Sequence, residues 1–178
     1  MTAHHTMLQF IAVGDHKLMR KVNKWPAPKW VRLWAIVATR AGDGWLWYVT
    51  GLSVLLFGGE GRFTATAAAG SAAVVGVGIF ISLKKISGRK RPCELEPHCW
   101  AHLLPPDRFS FPSGHTITAF AVATALGSFY PVLLPALLFC AVSIAVSRIL
   151  LGMHFLSDVV VAALLGTGLA LSSRALFL

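Results

Sequence analysis

Long apolar runs broken by short polar segments constrain the fold of this 178-residue chain more than any other feature. Runs cover residues 45–58 and 63–83, then about 115–129, 132–151 and 158–177. A helix needs about 20 mostly apolar residues to cross a bilayer. In lipid, only helices and closed barrels satisfy every backbone polar group. The runs therefore predict an all-α, polytopic transmembrane bundle of about five spans. Composition agrees, because only 13% of the residues are charged, against about 25% in soluble domains.

The first 42 residues read differently. In "LQFIAVGDHKLMRKVNKW", Ile11, Leu18, Val22 and Trp25 recur at helical spacing among Lys17, Arg20, Lys21 and Lys24. That pattern predicts an amphipathic helix lying in the headgroup region. "WPAPKW" ends it, and residues 29–42 are short for a crossing. A cleavable signal peptide fits poorly, since no basic start leads into an apolar run and a small-residue site. The expected organisation is an interfacial region over 1–42 and a transmembrane domain over 43–178.

Counting crossings places the loop 84–112 and the segment 148–157 on one face of the bilayer. The turns at 58–62 and 130–131 fall on the other. Three polar clusters thus converge from distant parts of the sequence: "KKISGRKRP", "FPSGHT" and "SRILLGMHFLSD". Ionisable groups are costly in a membrane and mark function there. The formal charge of +9 suits anionic lipid or an anionic substrate. Nucleic acid is not expected, because the apolar runs leave little water-facing surface for it.

Cations beside a helix N-terminus make an anion site, since the first N–H groups of a helix are unpaired and the macrodipole adds positive potential. Ser113 fits an N-cap, and Gly114 lets a ligand approach the backbone. Lys84, Arg91 and Arg148 supply point charge and planar forks for phosphate. His154 and Asp158 stand four apart and share a helical face. A carboxylate on Nδ1–H leaves Nε2 free to attack. Histidine is a competent nucleophile, and His115 is then placed to protonate the leaving oxygen. These roles add up to phosphate ester hydrolysis through a phosphohistidine.

The three parts together, Lys84–x6–Arg91–Pro92, Pro112–Ser113–Gly114–His115 and Ser147–Arg148–x5–His154–x3–Asp158, resemble the signature of the type 2 phosphatidic acid phosphatase (PAP2) family, whose site vanadium haloperoxidases share. The resemblance covers about residues 40–178. It implies a PAP2/haloperoxidase-like helical core and hydrolysis of lipid phosphate monoesters or pyrophosphates, without metal or other cofactor. Carried over, it makes His154 the nucleophile, His115 the acid and Asp158 the orienting group. Lys84, Arg91, Ser113, Gly114 and Arg148 become the phosphate-binding set, and Gly152 matches the family glycine between the arginine and the histidine. Phosphatidic acid, phosphatidylglycerol phosphate, polyprenyl pyrophosphate, a lipid A phosphate and a phosphorylated polyprenyl sugar all fit as substrates. The expected location is a bacterial inner membrane. Many members have six spans, whereas this chain shows five plus the interfacial region.

Other readings stand beside this one. A non-catalytic lipid-binding protein, or a transporter or scramblase of phosphorylated lipids, would use the same cationic pocket. Lys85, Arg89 and Lys90 read as a basic anchor, Asp43 as a turn residue, and Asp107 and Arg108 as candidate entrance residues. Cys93 and Cys99 suit a local disulfide in an oxidising compartment and free thiols in a reducing one. With His98 and His102 they match no usual zinc spacing. If the N-terminal region shares the active face, all but Arg62 and Arg174 of the 16 Lys and Arg residues lie on that face. The positive-inside rule then points to the cytosol.

Overall fold

A computed structural model describes residues 2–96 and 107–177. The chain forms α1 (Thr2–Asn23), α2 (Lys29–Ala41), α3 (Trp45–Phe57), α4 (Arg62–Ser87), the short α5 (Pro92–Leu95), α6 (Gly114–Phe129), a 3-10 turn at Pro131–Leu133, α7 (Leu134–Leu150) and α8 (Leu156–Phe177). Among the described residues the sole β feature is an isolated antiparallel bridge between Lys90 and Phe109. The expected all-α architecture is the one observed.

α6 is the axis of the bundle, enclosed by α4, α7 and α8. The inward faces carry small residues at helical spacing: Ala65, Ala68, Ala69, Ala72 and Gly76 on α4, and Ala162, Gly166 and Ala170 on α8. Large apolar side chains point outward instead, among them Val74, Phe139 and Leu164. Lipid tails are as apolar as leucine, so close backbone approach replaces hydrophobic burial as the force between the helices. The tightest approach to a neighbouring helix's backbone is at Gly166, where a Cβ would stand 2.4 Å from the Ile117 carbonyl oxygen. The Ser71 and Ser173 hydroxyls meet at 2.7 Å and tie α4 to α8.

Among the described residues, three segments, Arg62–Ser87, Pro131–Leu150 and Leu156–Phe177, are long and apolar enough to cross a membrane. The other two expected spans are shorter: α3 has 13 residues and α6 has 16. α6 is surrounded by protein, so lipid thickness does not set its length. α2 lies obliquely over the last turns of α7. Val31 packs on Leu150, Ala35 on Leu151 and Met153, and a Cβ at Gly42 would touch Ile144. Both ends of α2 thus stay at the end of the bundle where α4 finishes and α6 and α8 begin.

Candidate active site

That end of the bundle holds a cavity of about 380 Å³ lined by Gly42, Asp43, Phe80, Lys84, Arg91, Asp107, Gly114, His115, Thr118, Arg148 and His154. Six of the eight expected site residues line it. Ser113 and Asp158, both fully buried, stand behind its wall.

Each side chain is placed by local structure. Gly88 takes φ 57° and ends α4, which leaves Lys84 in the last turn, its Nζ 5.2 Å from the centre of the Phe80 ring. Ser110 N–H donates to the Arg89 carbonyl at 2.8 Å, and Ser110 Oγ donates to the Lys90 carbonyl at 3.1 Å. These bonds and the Lys90–Phe109 bridge hold the Arg91 segment against the chain leading into α6. At the C-terminus of α7 the Arg148 carbonyl accepts both Met153 N–H at 3.0 Å and His154 N–H at 3.1 Å. Such a fold-back needs a left-handed residue, and Gly152 supplies it with φ 66°.

Ser113 occupies the N-cap position of α6, but its side chain makes no cap bond. Its hydroxyl accepts from Thr116 Oγ1 at 2.9 Å, and its N–H donates to the Asp158 carbonyl at 3.3 Å. Ser113 therefore latches α6 to α8, and the first-turn N–H groups of α6 stay uncapped by it, as an anion site requires. Gly114 faces the cavity directly. A Cβ there would press on the Phe80 ring at 3.2 Å.

His154 is buried in the wall. Arg91 Nη1 lies 3.3 Å from its Nε2, and arginine only donates. Nε2 is thus the acceptor, and the ring proton sits on Nδ1. That nitrogen lies 3.7 Å from Asp158 Oδ2 and makes no hydrogen bond. The tautomer is the one a nucleophilic Nε2 needs. Burial pushes the His154 imidazole well below its ordinary pKa, and Arg148, Arg91 and Lys84 push the same way. The ring is neutral and able to attack. Arg91 also donates to the Met153 carbonyl at 2.7 Å, clamping the segment that carries His154.

The cavity holds two carboxylates that sequence reasoning kept apart from the chemistry. Asp107, a candidate entrance residue, bonds Lys84 Nζ at 2.5 Å and Arg91 Nη2 at 2.8 Å. Burial raises its pKa, but the bonds from Lys84 and Arg91 outweigh that and hold it below the usual carboxylate range. Asp43, read as a turn residue, lies 2.8 Å from His115 Nε2 and orients that ring. Arg148 donates to Thr39 Oγ1 at 2.6 Å, so α2 buttresses it. Arg89 is no simple anchor: it bonds Asp158 and Asp15. No signal in the sequence singled out Asp43 or Arg89 for the site. Cys99, His98 and His102 lie outside the described residues, as does the Cys93–Cys99 pair.

A second hollow runs beside the first. It is an apolar groove of about 560 Å³ between α3, α4 and α6, lined by Trp47, Tyr48, Leu52, Val74, Val77 and Val122 among others. Thr118 lines both hollows, and Gly44 of the groove follows Asp43 of the cavity.

Residues 63–177 match the family model described as the PAP2 superfamily. The chain belongs to that superfamily. The PAP2 match takes in all eight expected site residues. Over 98 residues the chain is 37% identical to decaprenylphosphoryl-5-phosphoribose phosphatase of Mycobacterium tuberculosis strain H37Rv, covering 55% of this chain and 53% of the relative. The protein of that name from Mycolicibacterium smegmatis is 34% identical over 129 residues, 63% of this chain and 69% of the relative. The chain thus spans about half the length of the first of these PAP2 relatives. Among solved structures, Aquifex aeolicus LpxE superposes with TM-score 0.73 at 27% identity, covering 89% of this chain and 93% of that one. A transmembrane PAP2 type phosphatidylglycerolphosphate phosphatase from Bacillus subtilis gives 0.69 at 21% identity, covering 93% and 85%, a likeness of fold.

Proposed function

We propose that this PAP2 protein is a membrane phosphatase that hydrolyses a phosphate monoester or pyrophosphate on a lipid through a phosphohistidine. One observation carries the reading. A cationic cavity with His154 in its wall, Nε2 facing Arg91, shares Thr118 with an apolar groove of about 560 Å³. The headgroup phosphate enters the cavity while the tail stays in the groove, inside the bilayer.

The chemistry follows from the positions. The phosphate displaces Asp107 from Lys84 and Arg91 and lies over the α6 N-terminus, with Arg148 beside it. These groups stabilise the charge spread over the equatorial oxygens. His154 Nε2 attacks phosphorus, the bond to the lipid oxygen breaks, and His115, which takes up a proton with the incoming phosphate while paired with Asp43, gives that oxygen its proton. The Nδ1 proton stays on the ring, facing Asp158. Water then attacks the phosphohistidine, giving its proton to His115. The P–N bond breaks, inorganic phosphate leaves and neutral His154 is restored.

A polyprenyl-linked sugar phosphate heads the substrate candidates, because the mycobacterial relatives carry that name. The proposed location is a bacterial inner membrane, with the active site on the cytosolic side. Lys17, Arg20, Lys21 and Lys24 of α1 support this, since Asp15 on that helix bonds Arg89 and Arg20 bonds Glu96 at the active-site end.

The test is phosphate release from a panel of lipid phosphates in detergent, paired with trapping of labelled phosphate on the protein. We expect turnover of at least one lipid and acid-labile label on the wild type. Both vanish in His154→Ala. Full activity of that variant would refute the mechanism.

A further inference from the structure

Behind the cavity lies a polar network that the chemistry above does not use. Asp158 is fully buried and divides its carboxylate between two tasks. Oδ2 accepts the Phe155 N–H at 2.8 Å and faces His154. Oδ1 accepts from Arg89 Nη1 at 2.6 Å. Arg89 lies over the Phe155 ring, 4.2 Å from its centroid. Its Nη1 also donates to Ser157 Oγ at 2.7 Å, and its Nη2 donates to Asp15 Oδ2 at 2.7 Å.

Asp15 belongs to α1, more than 70 positions earlier in the sequence. It is 5% exposed, although the helix around it is largely exposed. Its Oδ1 accepts Ser157 N–H at 3.0 Å, and Oδ2 accepts Ser157 Oγ. One carboxylate thus caps the first turn of α8 and holds the far side of the guanidinium that grips Asp158. Burying a carboxylate costs several kcal/mol unless it is paired and hydrogen-bonded. A helix that merely needed anchoring would bury an apolar side chain here.

We propose that Arg89, held by Asp15 of the N-terminal helix, is a positioning residue that fixes the Asp158 carboxylate behind His154, so that docking of α1 is a condition of full turnover. The inference rests on the phosphatase reading. With Oδ1 bound by Arg89, Oδ2 is the oxygen left to face Nδ1. Asp15 offsets the charge of Arg89, so Asp158 keeps its attraction for the ring that becomes cationic on phosphorylation. Without Asp15, Arg89 pairs with Asp158 alone and draws it from His154.

The experiment uses the full chain in detergent, with a lipid phosphate that the wild type hydrolyses. Asp15→Asn and Arg89→Gln should each lower kcat about 10–100-fold, as loss of an outer hydrogen-bonding partner does at other sites. KM and the inhibition constant of inorganic phosphate should stay within about twofold, because the cavity itself is untouched. The double variant should be no slower than Arg89→Gln, since Asp15 acts through Arg89. Lys17→Gln, exposed on the same helix, should match the wild type. If Asp15→Asn does not fold, Arg89→Lys serves instead: its ammonium lacks the fork needed for two carboxylates, so kcat falls at unchanged affinity for inorganic phosphate. Wild-type kcat in a folded Asp15 or Arg89 variant, multiplicative losses in the double variant, or parallel loss of affinity for inorganic phosphate would each overturn the proposal. A wild type that hydrolyses no lipid phosphate would instead defeat the phosphatase reading itself.

Discussion

His154 Nδ1 stands 3.7 Å from Asp158 Oδ2, with both side chains sealed from solvent. The separation exceeds a hydrogen bond by most of an ångström. Nε2 meanwhile faces Arg91 Nη1 at 3.3 Å. The pair is therefore set in tautomer but not yet closed, and catalytic hydrogen bonds often tighten only when substrate binds. In the proposed mechanism, a phosphate that draws Arg91 away frees Nε2 and lets the ring move toward Asp158. Asp158→Asn keeps the shape and removes the charge. It should lower kcat by up to about 10⁴-fold, the scale that amidating a buried aspartate behind a catalytic histidine reaches. KM should change little. Stopped-flow phosphate release against lipid concentration checks both.

Asp107 sits on two of the three cavity cations, with its side chain 38% exposed. In the proposed mechanism a substrate phosphate displaces it. Partly exposed ion pairs are worth up to about 1 kcal/mol, which is about fivefold in binding. Asp107→Asn should therefore bind inorganic phosphate or vanadate about fivefold more tightly. Inhibition constants measured at fixed lipid test this, and equal constants in the two proteins would show that the carboxylate does not compete.

Buried neutral His154 also sets a pH dependence of stability. Its pKa in the folded protein lies well below the ordinary value, and the unfolded ring titrates near about 6.5. Below that pH the unfolded chain binds a proton that the folded chain refuses. Stability therefore falls as pH drops through about 6.5, and keeps falling until the folded pKa is reached. Above that range the group contributes no slope. The loss is at most about 1.4 kcal/mol per pH unit. Thermal unfolding in detergent at pH 7 and pH 5 should show a larger drop for the wild type than for His154→Gln.

Legibility from sequence tracked two kinds of information. Apolar runs announced the helices, because membrane burial needs long continuous stretches, and crossing parity brought Lys84, His115 and His154 to one face. Spacing along a helix paired His154 with Asp158. What stayed hidden depended on lateral packing, which neither length nor parity reports. Arg89 and Arg91 stand two apart in one basic run, yet Arg91 enters the cavity and Arg89 turns to Asp158. Asp43 became a partner of His115 only because the α2–α3 corner folds over α6. Asp15 looked like the polar face of an interfacial helix, and that helix turned out to dock on α8. The shortness of α3 and α6, 13 and 16 residues, also lay outside what the apolar runs report, because a run does not reveal whether lipid or protein surrounds it.

Gly166 tests the packing rule of the bundle. Its missing side chain lets α8 approach α6 so closely that a Cβ would stand 2.4 Å from the Ile117 carbonyl oxygen and 3.0 Å from the Ala121 nitrogen. Both are backbone atoms and cannot swing aside, so the helices must separate. Overpacking of this kind costs about 1–3 kcal/mol. Gly166→Val should lower the unfolding temperature in detergent more than Gly168→Val, where a Cβ meets nothing within 4 Å. Activity should fall with Gly166→Val as well, because Ser113 N–H, bonded to the Asp158 carbonyl, ties the catalytic ends of the two helices.

The side of the membrane is testable through the turn between α3 and α4. Glu60 lies in that turn, at the far end of α4 from Lys84. Replacing Cys93, Cys99 and Cys140 with Ser and placing a single cysteine at position 60 gives one reporter, and a single cysteine at the exposed Lys85 gives the opposite one. The basic residues gather at the Lys85 end, and Lys- and Arg-rich loops are retained in the cytosol. A membrane-impermeant maleimide applied to intact cells should therefore label Glu60→Cys at once. Lys85→Cys should react only after the membrane is opened. The reverse pattern would put the active site outside the cytosol and give the Lys and Arg cluster a different role: holding anionic headgroups at the cavity mouth rather than setting topology.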